Sequence, residues 1–239
     1  MRRLTLAGLG LLALVATQGC TKAPDWNDPA YVGQQLAAGD ERAFGEFSHL
    51  TPEQQKTLVP QLTEAYNNGQ RPERALEALI AIADPSSKTV FTAALEKDDD
   101  VVAALAARGL AAINDGGSAA AIGARLGKVT NDAAFAGFFD ALAVLKAPEA
   151  ADALAAAMLK PAAKVGGALQ IKAGCKALAG VATASDAVID ALVFGLVNFT
   201  PQPFKDPMPD CEAALFKFKD QATPKVVEMF EGKNARAND

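Results

Sequence analysis

Few residues in this chain have the types and spacing that catalysis or metal binding requires. There is a single histidine, His49, which excludes sites built on two histidines, including the H-E-x-x-H metalloprotease helix. Three consecutive aspartates, Asp98 to Asp100, lack the spacing of a calcium-binding loop and directly precede an apolar helical pattern, which favours a helix N-cap. We therefore predict no catalytic residue, no metal site and no cofactor, and we expect the protein not to be an enzyme.

Two of the three cysteines, Cys175 and Cys211, are candidates for a disulfide. They are 36 positions apart, and each lies three or four residues before a leucine of the repeated pattern described below. A bridge between them would restrict the unfolded chain and stabilise the fold by roughly 3–4 kcal/mol. The alternative is two buried free thiols, because packed helices about 8–10 Å apart do not always allow disulfide geometry.

The first residues have the pattern of an export signal. Arg2 and Arg3 precede an uncharged stretch, residues 4–16, that is too short for a stop-transfer helix. Residues 1–19 are therefore predicted to be a signal peptide, and export would place the cysteines in an oxidising compartment. Removing both arginines takes the net charge from −5 to −7, and this charge argues against a nucleic-acid partner.

The end of this segment resembles the lipobox of bacterial lipoproteins. Gly19 is the small residue before Cys20, whereas Thr17 and Gln18 depart from the aliphatic and small residues that the family prefers. The resemblance implies that Cys20 receives diacylglycerol and anchors the protein to a membrane of the bacterial cell envelope, in the periplasm or on the cell surface. The alternative is an unmodified Cys20 and cleavage by an ordinary signal peptidase nearby, after a small residue such as Ala23.

Composition predicts an all-α fold. Half of the residues are hydrophobic, only 6% are aromatic, and alanine is abundant. Alanine is the best helix former and a weak strand former. A strand-rich fold is therefore not expected.

One short apolar pattern recurs five times, as a small residue, a leucine, and another apolar residue three positions after the leucine. The leucines follow one another at intervals of 31 to 37 residues: Leu79, Leu110, Leu142, Leu178 and Leu215. A second apolar or alanine column lies at a constant distance behind them: Val90, Ala121, Ala153, Ile189 and Val226. Two columns in register indicate a structural repeat.

Each repeat is predicted to contain two helices. In one of them, residues 102–113 place their apolar positions on a single helical face, with the aspartates before it and residues 114–117, rich in Asn, Asp and Gly, after it. A pair of short helices cannot bury its apolar face alone, so the pairs should stack into an α-solenoid of about five to six pairs. The predicted boundaries are a signal peptide at 1–19, a tether at 20–39 with one short helix near 31–38, N-terminal capping helices at 40–71, the solenoid at 72–231 and a disordered tail at 232–239.

The solenoid region, roughly residues 72 to 231, resembles HEAT-type repeats. Asp100 and Val101 open a helix that continues with Ala107, Leu110 and Ile113, and this is similar to the second-helix signature of the family. The period is closer to the short HEAT-like units of the phycobilisome-lyase class than to full-length HEAT repeats. The resemblance implies a helical-repeat protein whose second helices line a concave inner surface. Where that family commonly has arginine after the valine, this chain has Val102.

In each repeat, one residue stands directly before the small residue and its leucine. These residues form a row across the repeats. Its first four members are Glu77, Arg108, Asp140 and Lys176, and their charges alternate in sign. We interpret the row as a ladder of ion pairs between neighbouring units, each contributing about 0–1 kcal/mol. The alternative is a mixed-charge stripe that contacts a partner.

These features favour an exported, lipid-anchored scaffold or adaptor that binds another protein or an envelope component on its concave surface. The basic residues expected on that surface would suit an acidic partner: Arg74, Arg108, Lys172, Lys176 and Lys217. One alternative is a lyase or isomerase that handles a chromophore, as the phycobilisome-lyase resemblance implies. Another is a purely structural spacer in the envelope.

Overall fold

The computed structural model describes residues 25–146, 150–159, 167–180, 184–197 and 207–230. Within these ranges the chain forms 14 α-helices and two short 3₁₀ helices, Pro85–Ser87 and Gly116–Ser118, and has no β-strand. The helices are α1 (Pro29–Ala37), α2 (Glu41–Phe47), α3 (Pro52–Thr57), α4 (Val59–Asn67), α5 (Pro72–Ile82), α6 (Lys88–Leu95), α7 (Asp100–Ala112), α8 (Ala119–Leu126), α9 (Asp132–Leu145), α10 (Ala151–Met158), α11 (Gly167–Leu178), α12 (Asp186–Val197), α13 (Met208–Lys217) and α14 (Lys219–Phe230). The all-α prediction is therefore confirmed.

Local side chains set the ends of α7 where the sequence predicted them. The Asp99 carboxylate accepts hydrogen bonds from the backbone N–H groups of Val101 at 2.8 Å and Val102 at 3.1 Å. These bonds satisfy two first-turn donors that have no partner inside the helix. After the helix ends at Ala112, Asn114 has a φ of 55°, a left-handed conformation that asparagine tolerates.

From α5 onwards, some contacts join neighbours in sequence, such as α6 with α7 and α12 with α13, and others join helices two places apart. The odd-numbered helices meet in series, α5 with α7, α7 with α9, α9 with α11 and α11 with α13, and α8, α10, α12 and α14 do the same. The five repeated leucines all lie on the odd-numbered helices and are buried: Leu79, Leu110, Leu142, Leu178 and Leu215. The second column, from Val90 to Val226, lies on the even-numbered helices.

Small residues let α7 and α9 approach closely. A Cβ atom on Gly137 of α9 would lie 3.0 Å from the Cβ of Ala104 in α7 and 3.3 Å from the Ala104 carbonyl oxygen. Ala104 is six residues before the repeated leucine of its helix, and Gly137 is five residues before its own. The two helices therefore lie side by side in nearly the same register.

The segment predicted as a tether contains a packed helix. α1 contacts α2 and α4, and its Val32 and Leu36 side chains are fully buried. The short helix expected near residues 31–38 thus belongs to the hydrophobic core. Residues 40–71, predicted as capping helices, contain α2, α3 and α4, and α4 contacts α5.

Some predictions concern residues outside the described ranges. The signal peptide at 1–19, Cys20 with the first part of the tether, and the tail at 232–239 all lie there. Among the helices that are described, none has the length and apolar character needed to cross a membrane.

Candidate functional site

Cys175 and Cys211 are brought together between α11 and α13. Their Sγ atoms are bonded at 2.03 Å, and their Cα atoms are 4.9 Å apart. Both side chains are fully buried. The bridge thus links two consecutive odd-numbered helices inside the core.

The five basic residues predicted to contact a partner lie on four different helices. Arg74 in α5 is paired with Glu77 one turn later, with 3.2 Å between the guanidinium and the carboxylate. Arg108 in α7 is exposed, and it forms no ion pair with any other described residue. Arg108 is therefore the more available of these two cations.

The three lysines of this set lie near the disulfide end of the molecule. Lys172 and Lys176 in α11 share the carboxylate of Asp210 at 3.6 Å and 3.9 Å. Lys217 in α13 donates a hydrogen bond to the Ala179 carbonyl oxygen at 2.6 Å. The positive charge of α11 is consequently partly neutralised by an acidic residue of α13.

The predicted ladder of ion pairs between units is wrong. Glu77, Arg108, Asp140 and Lys176 are all exposed, and within the described chain no two of them pair with each other. Glu77 has a nearer partner, Arg74, on its own helix, whereas Arg108 and Asp140 extend from neighbouring helices into solvent. The row remains an exposed set of alternating charges.

A cavity of about 450 Å³ lies between α6, α8 and the beginning of α7. Leu95, Ala121 and Ala124 supply its apolar wall, and exposed residues of both charges surround it. The remaining lining residues are Thr92, Glu96, Asp98, Asp100, Arg125, Lys128 and Thr130. A volume in this range suits a small ligand, but the mixture of carboxylates and cations does not select a ligand of one charge.

Among the side chains that line this cavity, Asp100 accepts the most hydrogen bonds. Its Oδ1 atom accepts a hydrogen bond from the Arg125 guanidinium at 2.7 Å. Its Oδ2 atom accepts bonds from the N–H and the hydroxyl of Thr130 at 2.8 Å and 3.1 Å and from the N–H of Asn131 at 2.9 Å. Asp100 therefore joins the start of α7 to α8 and to the loop that leads into α9.

Arg125 completes the connection from the other side. The Nη2 atom that contacts Asp100 also donates to the carbonyl oxygens of Lys97 at 3.1 Å and Asp98 at 3.3 Å. The side chains of Arg125 and Asp100 are only 12% and 11% exposed. The pair is thus a largely buried, hydrogen-bonded connection between α7 and α8 rather than a surface ion pair.

These contacts keep Asp100 ionised. Burial by itself raises the pKa of this carboxyl group, but the hydrogen bonds from Thr130, Asn131 and Arg125 outweigh burial and lower the pKa to about 2. A carboxylate with so low a pKa is a poor proton donor or acceptor near neutral pH. The arrangement accounts for structure at this point of the chain and supplies no acid–base catalyst.

Asp100 should make stability depend on acidity. The pKa of Asp100 is lower in the folded chain than in the unfolded chain. Its contribution to the free energy of unfolding is therefore complete above about pH 4 and is lost as the pH falls towards about 2. We expect Asp100→Asn to lower the free energy of unfolding by about 1–2 kcal/mol at pH 7. Urea unfolding of both proteins at several pH values would check this, and a difference that stays constant down to pH 2 would contradict the role given to the carboxylate.

The sequence indicated the run Asp98 to Asp100 as a helix cap, but it gave no sign of the pair between Asp100 and Arg125. Helix capping is a local effect, and a run of aspartates before an apolar pattern reveals it. The Asp100–Arg125 pair joins residues that are 25 positions apart, and no local pattern reports such a pairing. Only the common repeat period, which places the start of each unit near the start of the next, could have suggested it.

Comparison with known protein families, with curated proteins and with solved structures finds no match for this chain.

Proposed function

We propose that this protein is an exported, lipid-anchored scaffold or adaptor of the bacterial cell envelope, built as an α-solenoid of about five to six helix pairs. The observation that supports the solenoid is the serial contact of α5, α7, α9, α11 and α13, together with that of α8, α10, α12 and α14. Short helix pairs bury a common core when they stack in two layers, so that each helix covers the next. The HEAT-like pattern of residues 72–231 favours the same arrangement.

The shape of the purified protein tests the solenoid. Small-angle scattering of a stacked array of helix pairs should give a pair-distance distribution with a long tail, as expected for an elongated particle. A distribution typical of a sphere of the same mass would contradict the proposal.

The surface that we propose for partner binding is the odd-helix face, which we define as the exposed residues of α5, α7, α9, α11 and α13. Repeat proteins bind through such extended surfaces. Four of these helices, α5, α7, α11 and α13, carry basic residues that favour an acidic group on the partner: Arg74, Arg108, Lys172, Lys176 and Lys217. Of them, Arg108 contributes most to our proposal because it is exposed and, among the described residues, has no ion pair.

Crosslinking in isolated membranes followed by affinity capture tests this surface. We expect wild-type protein to recover a defined polypeptide and the triple variant Arg74→Glu, Arg108→Glu, Lys176→Glu to recover little of it, because charge reversal repels an acidic partner. Lys97→Glu, a reversal at an exposed position on the loop between α6 and α7, is the control. Equal recovery by the triple variant would contradict partner binding at this face, and visible absorbance of the purified protein would favour the chromophore-handling alternative.

The anchor is tested independently of the partner. The Cys20→Ser variant should move from the membrane fraction to the soluble fraction, because the residue that would carry the acyl chains is gone. Mass spectrometry of the wild-type N-terminal peptide should then show the mass of diacylglycerol on Cys20. An unmodified cysteine in a membrane-associated protein would contradict lipidation.

A further inference from the structure

The alternating charges of the odd-helix face have a particular symmetry. Glu77, Arg108, Asp140 and Lys176 lie on α5, α7, α9 and α11, four helices that contact one another in series, and each is two residues before a repeated leucine. Their signs are negative, positive, negative and positive. In the reverse order, from α11 to α5, the signs are positive, negative, positive and negative. Each charge in the row therefore has an opposite charge at the equivalent place on the other side of its centre, which lies between α7 and α9.

We propose that the odd-helix face binds a second copy of this chain about a two-fold axis that lies in the interface, between α7 and α9 and parallel to both. Such a rotation exchanges α7 with α9 and α5 with α11 while it preserves the position along each helix. Arg108 then faces Asp140 of the second copy, and Asp140 faces Arg108. The inference rests on the proposed function, because it takes the odd-helix face as the interaction surface and names its occupant.

Arg108 and Asp140 are the central pair of this interface. Both are exposed, and neither forms an ion pair with any other described residue. The outer members, Glu77 and Lys176, have local partners but remain accessible, with 51% and 59% of their side chains exposed. Each copy therefore offers an unpaired cation and an unpaired anion that its twin complements, which gives the association specificity.

The residues along α7 and α9 beside this pair are apolar. The same rotation places Val101, nine residues before its leucine, opposite Ala133, and Ala112, two residues after its leucine, opposite Val144. Val101 is 37% exposed and Val144 is 58% exposed, and both are large hydrophobic side chains left in contact with water. Their burial between two copies would provide the hydrophobic contribution that ion pairs alone lack.

The helix packing supports this register. Gly137 and Ala104 hold α7 and α9 side by side with nearly equal offsets from their leucines. The disulfide does the same for α11 and α13, since Cys175 is three and Cys211 four residues before their leucines. Positions with equal offsets thus lie at similar heights, as the proposed pairing requires.

A charge exchange tests the interface. We expect sedimentation equilibrium of the purified full chain, in a density-matched detergent, to show a dimer whose dissociation constant rises at least about tenfold in Arg108→Glu and in Asp140→Arg. Each single change places two pairs of like charges across the two-fold axis. The double variant Arg108→Glu, Asp140→Arg restores both opposite-charge pairs, so its dissociation constant should return to within about threefold of wild type.

The control variants change the net charge by the same amounts, but at residues outside the odd-helix face. Lys97→Glu and Glu228→Arg alter exposed residues on the α6–α7 loop and on α14, outside the odd-helix face, and should leave the dimer intact. Circular dichroism verifies that every variant keeps its helices. A monomeric wild type, a loss of dimer in the controls, or a double variant that stays monomeric would overturn the inference. Capture of a different polypeptide by a protein that is monomeric when pure would overturn it and leave the proposed function standing.

Discussion

Replacing Gly109 with alanine should lower the free energy of unfolding by about 1–3 kcal/mol, although alanine is the better helix former. Gly109 lies within α7, and a Cβ atom there would be 2.4 Å from the Cδ1 and Cε1 atoms of Phe91 in α6. The Phe91 ring is fully buried, so it cannot move into solvent to make room. The added methyl group must separate α6 from α7. The packing energy lost in this way exceeds the gain of up to about 1 kcal/mol in helix propensity. Urea unfolding followed by circular dichroism measures the change.

Two further substitutions distinguish crowding from a general effect of alanine. Gly45 in α2 has no atom within 4 Å of its Cβ position, so Gly45→Ala should raise the free energy of unfolding by roughly 0.5–1 kcal/mol. Phe91→Leu destabilises on its own by leaving a cavity, but it should reduce the cost of Gly109→Ala, because the ring edge is no longer in the way. Additive effects of the two changes would mean that Gly109 and Phe91 do not meet as the structure shows.

Much of the helix arrangement was predictable because its causes are local or periodic. The start of α7 follows from the side-chain oxygens of Asp99, and its end from the left-handed conformation at Asn114. The repeated leucines were assigned to equivalent helices, and the structure buries them all on odd-numbered ones. A residue that repeats on the buried face of successive helices leaves a periodic trace in the sequence.

Pairing between charged side chains was less predictable. Alternating signs at one position of successive units suggested a ladder, yet Glu77 instead pairs with Arg74 one turn earlier on the same helix. A partner three positions away on one helix is always within reach, whereas a partner on the next helix must span an interaxial distance of about 8–10 Å. The Asp100–Arg125 pair could form because the last turn of α8 lies beside the start of α7, and that meeting is a property of the tertiary structure.

Removing the disulfide should have the largest effect on stability. We expect the variant Cys175→Ala, Cys211→Ala to lose about 3–4 kcal/mol of unfolding free energy, because the 36-residue loop that the bridge closes gains freedom in the unfolded chain. Alanine is preferred to serine, since a buried hydroxyl group without a partner would add its own cost. Because α11 to α14 contact mainly one another and the helices shortly before them, amide hydrogen exchange should accelerate most in α11 to α14. Urea unfolding without reductant gives the total change, and exchange measured by mass spectrometry locates it.

Gly195 lies beside the disulfide and provides a matched test of it. Its Cβ position in α12 is 2.5 Å from Sγ of Cys211 and 3.2 Å from Sγ of Cys175, so Gly195→Ala should destabilise the bridged protein. The same substitution should cost less when both sulfur atoms are replaced, because their removal leaves space for the methyl group. Alkylation of the unfolded, non-reduced protein is the direct check: modification of both Cys175 and Cys211 would show that no bridge forms, and the stability difference should then be small.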